Sequence, residues 1–129
     1  MDDERFQELV DEAVASLPEE FASRLDNVDV VVRRRPSRET LRRMGLARGR
    51  TLLGLYHGVP QTHRTTAYSL VMPDRIEIYR EPILAMAREE CGEGQELDDL
   101  VRREVRRTVL HEIGHHFGLD EDDLRRAGH

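Results

Sequence analysis

Lysine and tryptophan are absent from this chain, cysteine occurs once, and phenylalanine and tyrosine number three each. All 20 basic residues are therefore arginine, a bias that fits genomic base composition better than any mechanism. The single Cys91 excludes an intrachain disulfide. With aromatics at 5%, the core has to be mainly aliphatic. No stretch reaches the roughly 18 apolar residues of a membrane helix. The opening Met1-Asp2-Asp3-Glu4 lacks the basic region and apolar run of a secretory leader, so a reducing cytoplasm is the expected compartment. No internal repeat, low-complexity tract or interdomain linker interrupts the chain, and 129 residues suit one domain spanning 1–129.

What is present reads as alternating helix and strand. Phe6, Leu9, Val10, Ala13, Val14 and Leu17 recur at helical spacing until Pro18 interrupts them. Val28 to Arg33, Thr51 to Tyr56 and Asp74 to Tyr79 read as strands. Ser37 is placed to cap a short helix running to Met44. Residues 82–90 suit another helix, broken by Cys91-Gly92-Glu93-Gly94. From Leu97 to Phe117 runs the strongest amphipathic pattern, and Leu124 to Ala127 suits a last helical turn. In the long helix Val101, Val105, Thr108, Val109 and Glu112 share one arc, with Arg102, Arg103, Arg106 and Arg107 opposite. Ile113 and Phe117 flank the apolar stripe on one side and His111 and His115 on the other, so its last two turns are expected to be covered nearly all round.

That helix carries the run His111-Glu112-Ile113-Gly114-His115-His116-Phe117-Gly118. H-E-x-x-H followed by this glycine arises by chance in roughly 0.2% of chains of such composition. At about 100° per residue, His111 and His115 stand one turn apart on one face, about 40° from each other. Both imidazoles can reach one Zn²⁺ at about 2.0–2.1 Å. Glu112 then lies beside the attacking water without binding the metal, the position of the general base in zinc hydrolases. The plain alternative is a buried helix whose histidines are satisfied by ordinary hydrogen bonds.

Two histidines do not close a catalytic zinc site, which ordinarily has three protein ligands. Gly118 can end the helix in the left-handed conformation and turn the chain back. Glu121 then completes H-E-x-x-H-x-x-G-x-x-E, with Asp120, Asp122, His116 and His129 as rivals for the third position. Only eight residues follow Glu121, too few for a third ligand on a distant downstream helix. The same acidic run also suits a solvated helix N-terminus. Fe, Mn or Ni fits the same donors.

Thr108 to Leu124, together with Gly54-Leu55-Tyr56-His57-Gly58-Val59-Pro60 and Pro73 to Arg80, resembles the small bacterial zincin-like, zinc-dependent metallopeptidase family over about residues 28 to 125. The resemblance implies an α+β, minimal zincin-like fold: a small mixed sheet packed against an active-site helix and an N-terminal helix. It implies His111, His115 and a carboxylate after the glycine as zinc ligands, with Glu112 as catalytic base and a peptide or small protein as substrate. The family usually carries Asp where this chain has Glu121, and no methionine follows to form the turn seen in larger metzincins.

Smaller features complete the reading. Asp74 to Arg80 is a candidate edge strand for pairing with an extended substrate. His57, His63, Tyr68 and Tyr79 are candidate donors to an oxyanion. Cys91 reads as a plain loop thiol, with a thiolate cap on the zinc as the other reading. Arg33 to Arg50 holds eight arginines against Glu39, on a chain whose net charge is −6. Such a patch suits an acidic partner, whereas the lack of interleaved aromatics argues against nucleic acid. A solvated arginine face paired with the protein's own acids is the simpler account of it. The function classes left are a zinc metallopeptidase, a metal-binding regulatory module with little proteolysis, and a nucleic-acid or acidic-partner binder using the Arg33–Arg50 stretch.

Overall fold

Three strands and six α-helices make up the residues described by the computed structural model, 1–46, 52–58, 73–118 and 121–126, the side chains of Glu121 and Asp123 apart. Helix α1 (Asp3–Ala15) starts where the Asp2 carboxylate accepts the Arg5 amide at 2.8 Å. After the short α2 (Glu19–Ala22) and one 3₁₀ turn comes β1 (Val28–Arg33). Ser37 caps α3 (Arg38–Arg43) by accepting the Thr40 amide at 3.0 Å. Then follow β2 (Gly54–His57), β3 (Asp74–Tyr79), α4 (Arg80–Cys91), α5 (Gln95–Phe117) and α6 (Glu121–Arg126).

The sheet order is β1-β3-β2. Strand β1 runs parallel to β3, with Val30 opposite Ile76 and Val32 opposite Ile78. Strand β2 runs antiparallel to β3 on its other side, with Gly54 opposite Ile78 and Tyr56 opposite Ile76. β3 is thus paired along both sides and offers no edge to a substrate, which corrects the expectation for Asp74 to Arg80. The terminal strand next to α5 is β2, and it begins at Gly54, later than the expected Thr51, which lies outside the described residues.

The pleat of β3 separates two environments. Ile76 and Ile78 face a helical layer in which α1 and α4 pack against α5, and α5 packs on β2 and β3. Phe6, Leu9 and Val10 of α1, Ile83 of α4, and Val101, Val105, Val109, Leu110 and Ile113 of α5 are essentially inaccessible to water. Each such aliphatic side chain contributes about 1.5–3 kcal/mol. The core is aliphatic, as the composition demands. Glu77 and Tyr79 point to the other face and are nevertheless buried, by polar partners described below.

The arginine arc of α5 is held by acids on its neighbours: Arg102 Nε meets Glu12 at 2.6 Å, and Arg103 meets Glu90 at 3.2 Å. Cys91 is the last residue of α4 rather than a loop residue. It lies by Glu96 and Leu100, at the opposite end of α5 from the histidines, which removes the zinc-cap reading. Burial and the carboxylates of Glu96, Glu90 and Glu93 also push its thiol pKa up, away from thiolate character. No described helix is long and apolar enough to cross a membrane.

Candidate metal and catalytic site

Helix α5 ends at Gly118, whose φ of 68° and ψ of 30° are the left-handed values expected of a glycine terminator. The chain then returns as α6, and Leu124 lies 2% exposed against α5. The contact is made possible by Gly114, inside the histidine motif. A β-carbon there would stand 3.2 Å from Leu124 Cδ2 and 3.3 Å from Cδ1, closer than nearly all side-chain contacts. A glycine between the two histidines therefore lets α6 fold against the last turns of α5.

On α5 the rings of His111 and His115 have centroids 6.0 Å apart, inclined at 52°. His111 is half-buried, whereas the His115 side chain is 77% exposed. His116 and Phe117 are exposed as well, so the last two turns are not covered nearly all round as the stripe suggested. Among the described residues, α6 covers the Gly114 side, Tyr56 of β2 stacks on His116, and the Arg24 guanidinium lies over the Phe117 ring at 4.9 Å.

Glu112 is only 14% exposed. Burial pushes its carboxyl pKa up; the charge of His115 and a hydrogen bond from the Tyr56 backbone N–H pull it part of the way back. Its Oε2 lies 3.8 Å from His115 Nδ1. Glu112, His115 and His116 line a cleft of about 400 Å³ whose other wall is Met44, Leu52, Leu55, Tyr56 and Gly58.

His116 is turned to the strand. Its ring stacks on Tyr56 at 3.9 Å and 13°, and its Nε2 lies 3.9 Å from Asp74 Oδ2. The Tyr56 hydroxyl donates to the same Asp74 oxygen at 2.7 Å. Gly58 is tight against this pair, a β-carbon there falling 3.1 Å from His116 Cε1. Tyr56 thus joins strand to helix twice, through its backbone and its ring, a role that no periodicity signals.

Asp122 bonds Arg125 at 2.9 Å. Among the described residues no three His, Cys, Asp or Glu side chains gather to hold a metal, so neither His116 nor Asp122 joins the His111–His115 pair. Asp120, His129 and the Glu121 side chain lie outside the described residues; the backbone of Glu121 opens α6. His63 and Tyr68 lie outside them too.

The other two oxyanion candidates are engaged elsewhere. The Tyr79 hydroxyl donates to Glu77 Oε1 at 2.9 Å, and His57 Nε2 lies 2.9 Å from the same oxygen. Burial, followed by the Glu77 hydrogen bond, raises the Tyr79 pKa, so the proton stays on the Tyr79 oxygen and is donated to the Glu77 carboxylate. Arg75 Nε and Arg33 Nε approach Glu77 Oε2 at 3.3 and 3.4 Å. Burial alone would raise the Glu77 carboxyl, but Tyr79, His57 and Arg75 together hold it below the usual carboxylate range.

No curated protein matches the chain. The model of the zincin-like metallopeptidases does, over residues 25–129, which takes in all three strands, α5 with its histidine motif, and α6. With four-fifths of its length matched, this chain belongs to the zincin-like metallopeptidase family.

Proposed function

We propose that the protein is a zinc-dependent peptidase in which His111, His115 and Glu121 hold the metal and Glu112 is the catalytic base. The observation that carries the reading is the pairing of His111 and His115 at 6.0 Å, with Glu112 between them in sequence and half-sunk in the cleft. A tetrahedral ion shared by two imidazoles needs ring centroids roughly 5 Å apart, which a small side-chain rotation supplies. The donor set suits zinc: two neutral imidazoles on one helical face, and a carboxylate at the start of a helix folded back by Gly118. When bound, zinc supplies Lewis acidity and makes water ionisable near neutral pH.

The remaining chemistry belongs to the chain. The buried Glu112 carboxylate accepts the proton of the attacking water and returns it to the leaving amine. The Tyr56 backbone N–H fixes one side of that carboxylate, so the base is oriented before substrate arrives. The cleft between β2 and α5 receives the substrate in extended form, with Leu52, Leu55 and Met44 as its apolar wall.

Zinc content of protein purified without chelator tests the ligands, and cleavage of a peptide library with and without chelator tests the activity. Wild-type protein carries stoichiometric zinc, while His115→Ala and Glu121→Ala lose it. Glu112→Gln keeps the zinc and loses hydrolysis. Full activity in Glu112→Gln would remove the base from its role, and full zinc in Glu121→Ala would remove the third ligand.

A further inference from the structure

A second cavity of about 400 Å³ lies on the outer face of the sheet, between α3 and β3. Its lining sets four arginines, Arg33, Arg35, Arg43 and Arg75, against two carboxylates, Glu39 and Glu77, with His57 at its β2 wall. Glu39 and Glu77 offset only part of this charge. Glu77 sits at the base, 11% exposed, and its Oε1 is taken by Tyr79 and His57. It meets Arg33 and Arg75 through Nε, and among the described residues no hydrogen bond engages their terminal nitrogens. Those two side chains are 55% and 46% exposed. Arg43 has no ion-pair partner among the described residues, and Arg35 only grazes Glu81 at 4.0 Å. Glu77 therefore anchors guanidinium groups whose planar forks remain available, the geometry that takes a carboxylate in two parallel hydrogen bonds.

This cavity adjoins the catalytic cleft along both walls. Arg43 lines it and the next residue, Met44, lines the cleft. On β2, His57 lines it, and Leu55, two residues earlier on the same face of the strand, lines the cleft. Two positions along a strand span only about 7 Å. An extended peptide seated at Glu112 therefore reaches the arginines within a few residues.

We propose that the arginine cavity is a specificity subsite that selects peptides with an acidic side chain, Asp or Glu, close to the bond at Glu112. The proposal rests on the peptidase reading for what happens to the peptide, and on the cavity alone for the selection. It also gives part of the excess positive charge between Arg33 and Arg43 a partner outside the chain's own acids.

The experiment uses the full chain as zinc-loaded Glu112→Gln and a pair of matched fluorescent peptides, one carrying Glu where the other carries Gln. By fluorescence anisotropy the Glu peptide binds about tenfold tighter, the size of one charge-assisted contact. Arg43→Gln and Arg75→Gln each remove most of that preference and leave the Gln peptide unchanged. Arg34→Gln, which breaks the pair with Glu81 outside the cavity, alters neither. Equal affinity for the two peptides overturns the proposal, as does single-stranded RNA binding more tightly than the Glu peptide. Wild-type cleavage of both peptides at equal kcat/KM removes the subsite and leaves the peptidase standing. Acid-selective binding with no cleavage of any peptide removes the peptidase and leaves the selection standing.

Discussion

Leu124 rests on Gly114, with 3.2 Å between its Cδ2 and the point where a β-carbon would sit. Alanine at 114 favours the helix by about 1 kcal/mol, so α5 itself survives the change. What moves is α6, and with it the backbone of Glu121. Gly114→Ala is expected to keep its far-UV circular dichroism while zinc affinity, measured against a competing chelator, falls at least severalfold. Leu124→Ala, which empties a buried site, is expected to lower stability by about 2–5 kcal/mol in urea and to weaken zinc as well. Wild-type zinc affinity in both variants would show that α6 has no part in the metal site.

At Gly54, β2 lies close against α5. A β-carbon there would meet Thr108 Cγ2 at 2.6 Å and the Glu77 carbonyl at 2.8 Å, the second being backbone and unable to yield. Gly54→Ala is expected to cost about 1–3 kcal/mol, the usual range for overpacking. Thr108→Ser in the same protein relieves the first clash only and restores part of the loss. Since β2 carries Tyr56, peptide cleavage falls further than stability does. Full recovery in the double variant would locate the strain in Thr108 alone.

The Glu77 carboxyl has a lower pKa folded than the ordinary value of 4.5. The unfolded chain therefore binds this proton more readily, and the stabilisation from Glu77 is complete above about pH 4.5 and lost as pH falls through the folded value. Glu77→Gln is expected to unfold at lower urea than wild type at pH 7, by about 2 kcal/mol for its charge-assisted bonds. That gap closes in acid, below about pH 4.5. A gap that persists unchanged into acid would mean that packing, and not charge, is what Glu77 supplies.

Features fixed by a few neighbouring residues were legible without coordinates. Asp74 to Tyr79 alternates as a strand, Ser37 has a hydroxyl suited to capping, and Gly118 needs no penalty for its left-handed turn. The spacing of His111 and His115 follows from helical geometry alone. Strand order was not legible, because alternation in Asp74 to Tyr79 is the same whether one neighbour or two lies alongside. Hence β3 read as an edge and proved central. Glu77 and Tyr79 were equally opaque: a polar residue on the outer face of a strand is normally solvated, and these are buried because His57 of β2 and Arg33 of β1 converge on them beside Arg75 of their own strand. The exposure of His115 and Phe117 depends on how other elements approach that end of the helix, which a stripe of apolar residues does not encode.

Helix α5 is one uninterrupted rod of 23 residues with unequal ends. Its middle, Val101 to Val109, is locked into the core, while its last turn stands largely in water. Amides of the middle exchange with solvent only when the whole fold opens, whereas those of 115–117 exchange by fraying of the tip. An ion clasped between that tip and the chain beyond Gly118 would have to suppress the fraying before it could be held. Its apparent affinity is then linked to the local opening free energy of one helical turn, each shifting with the other.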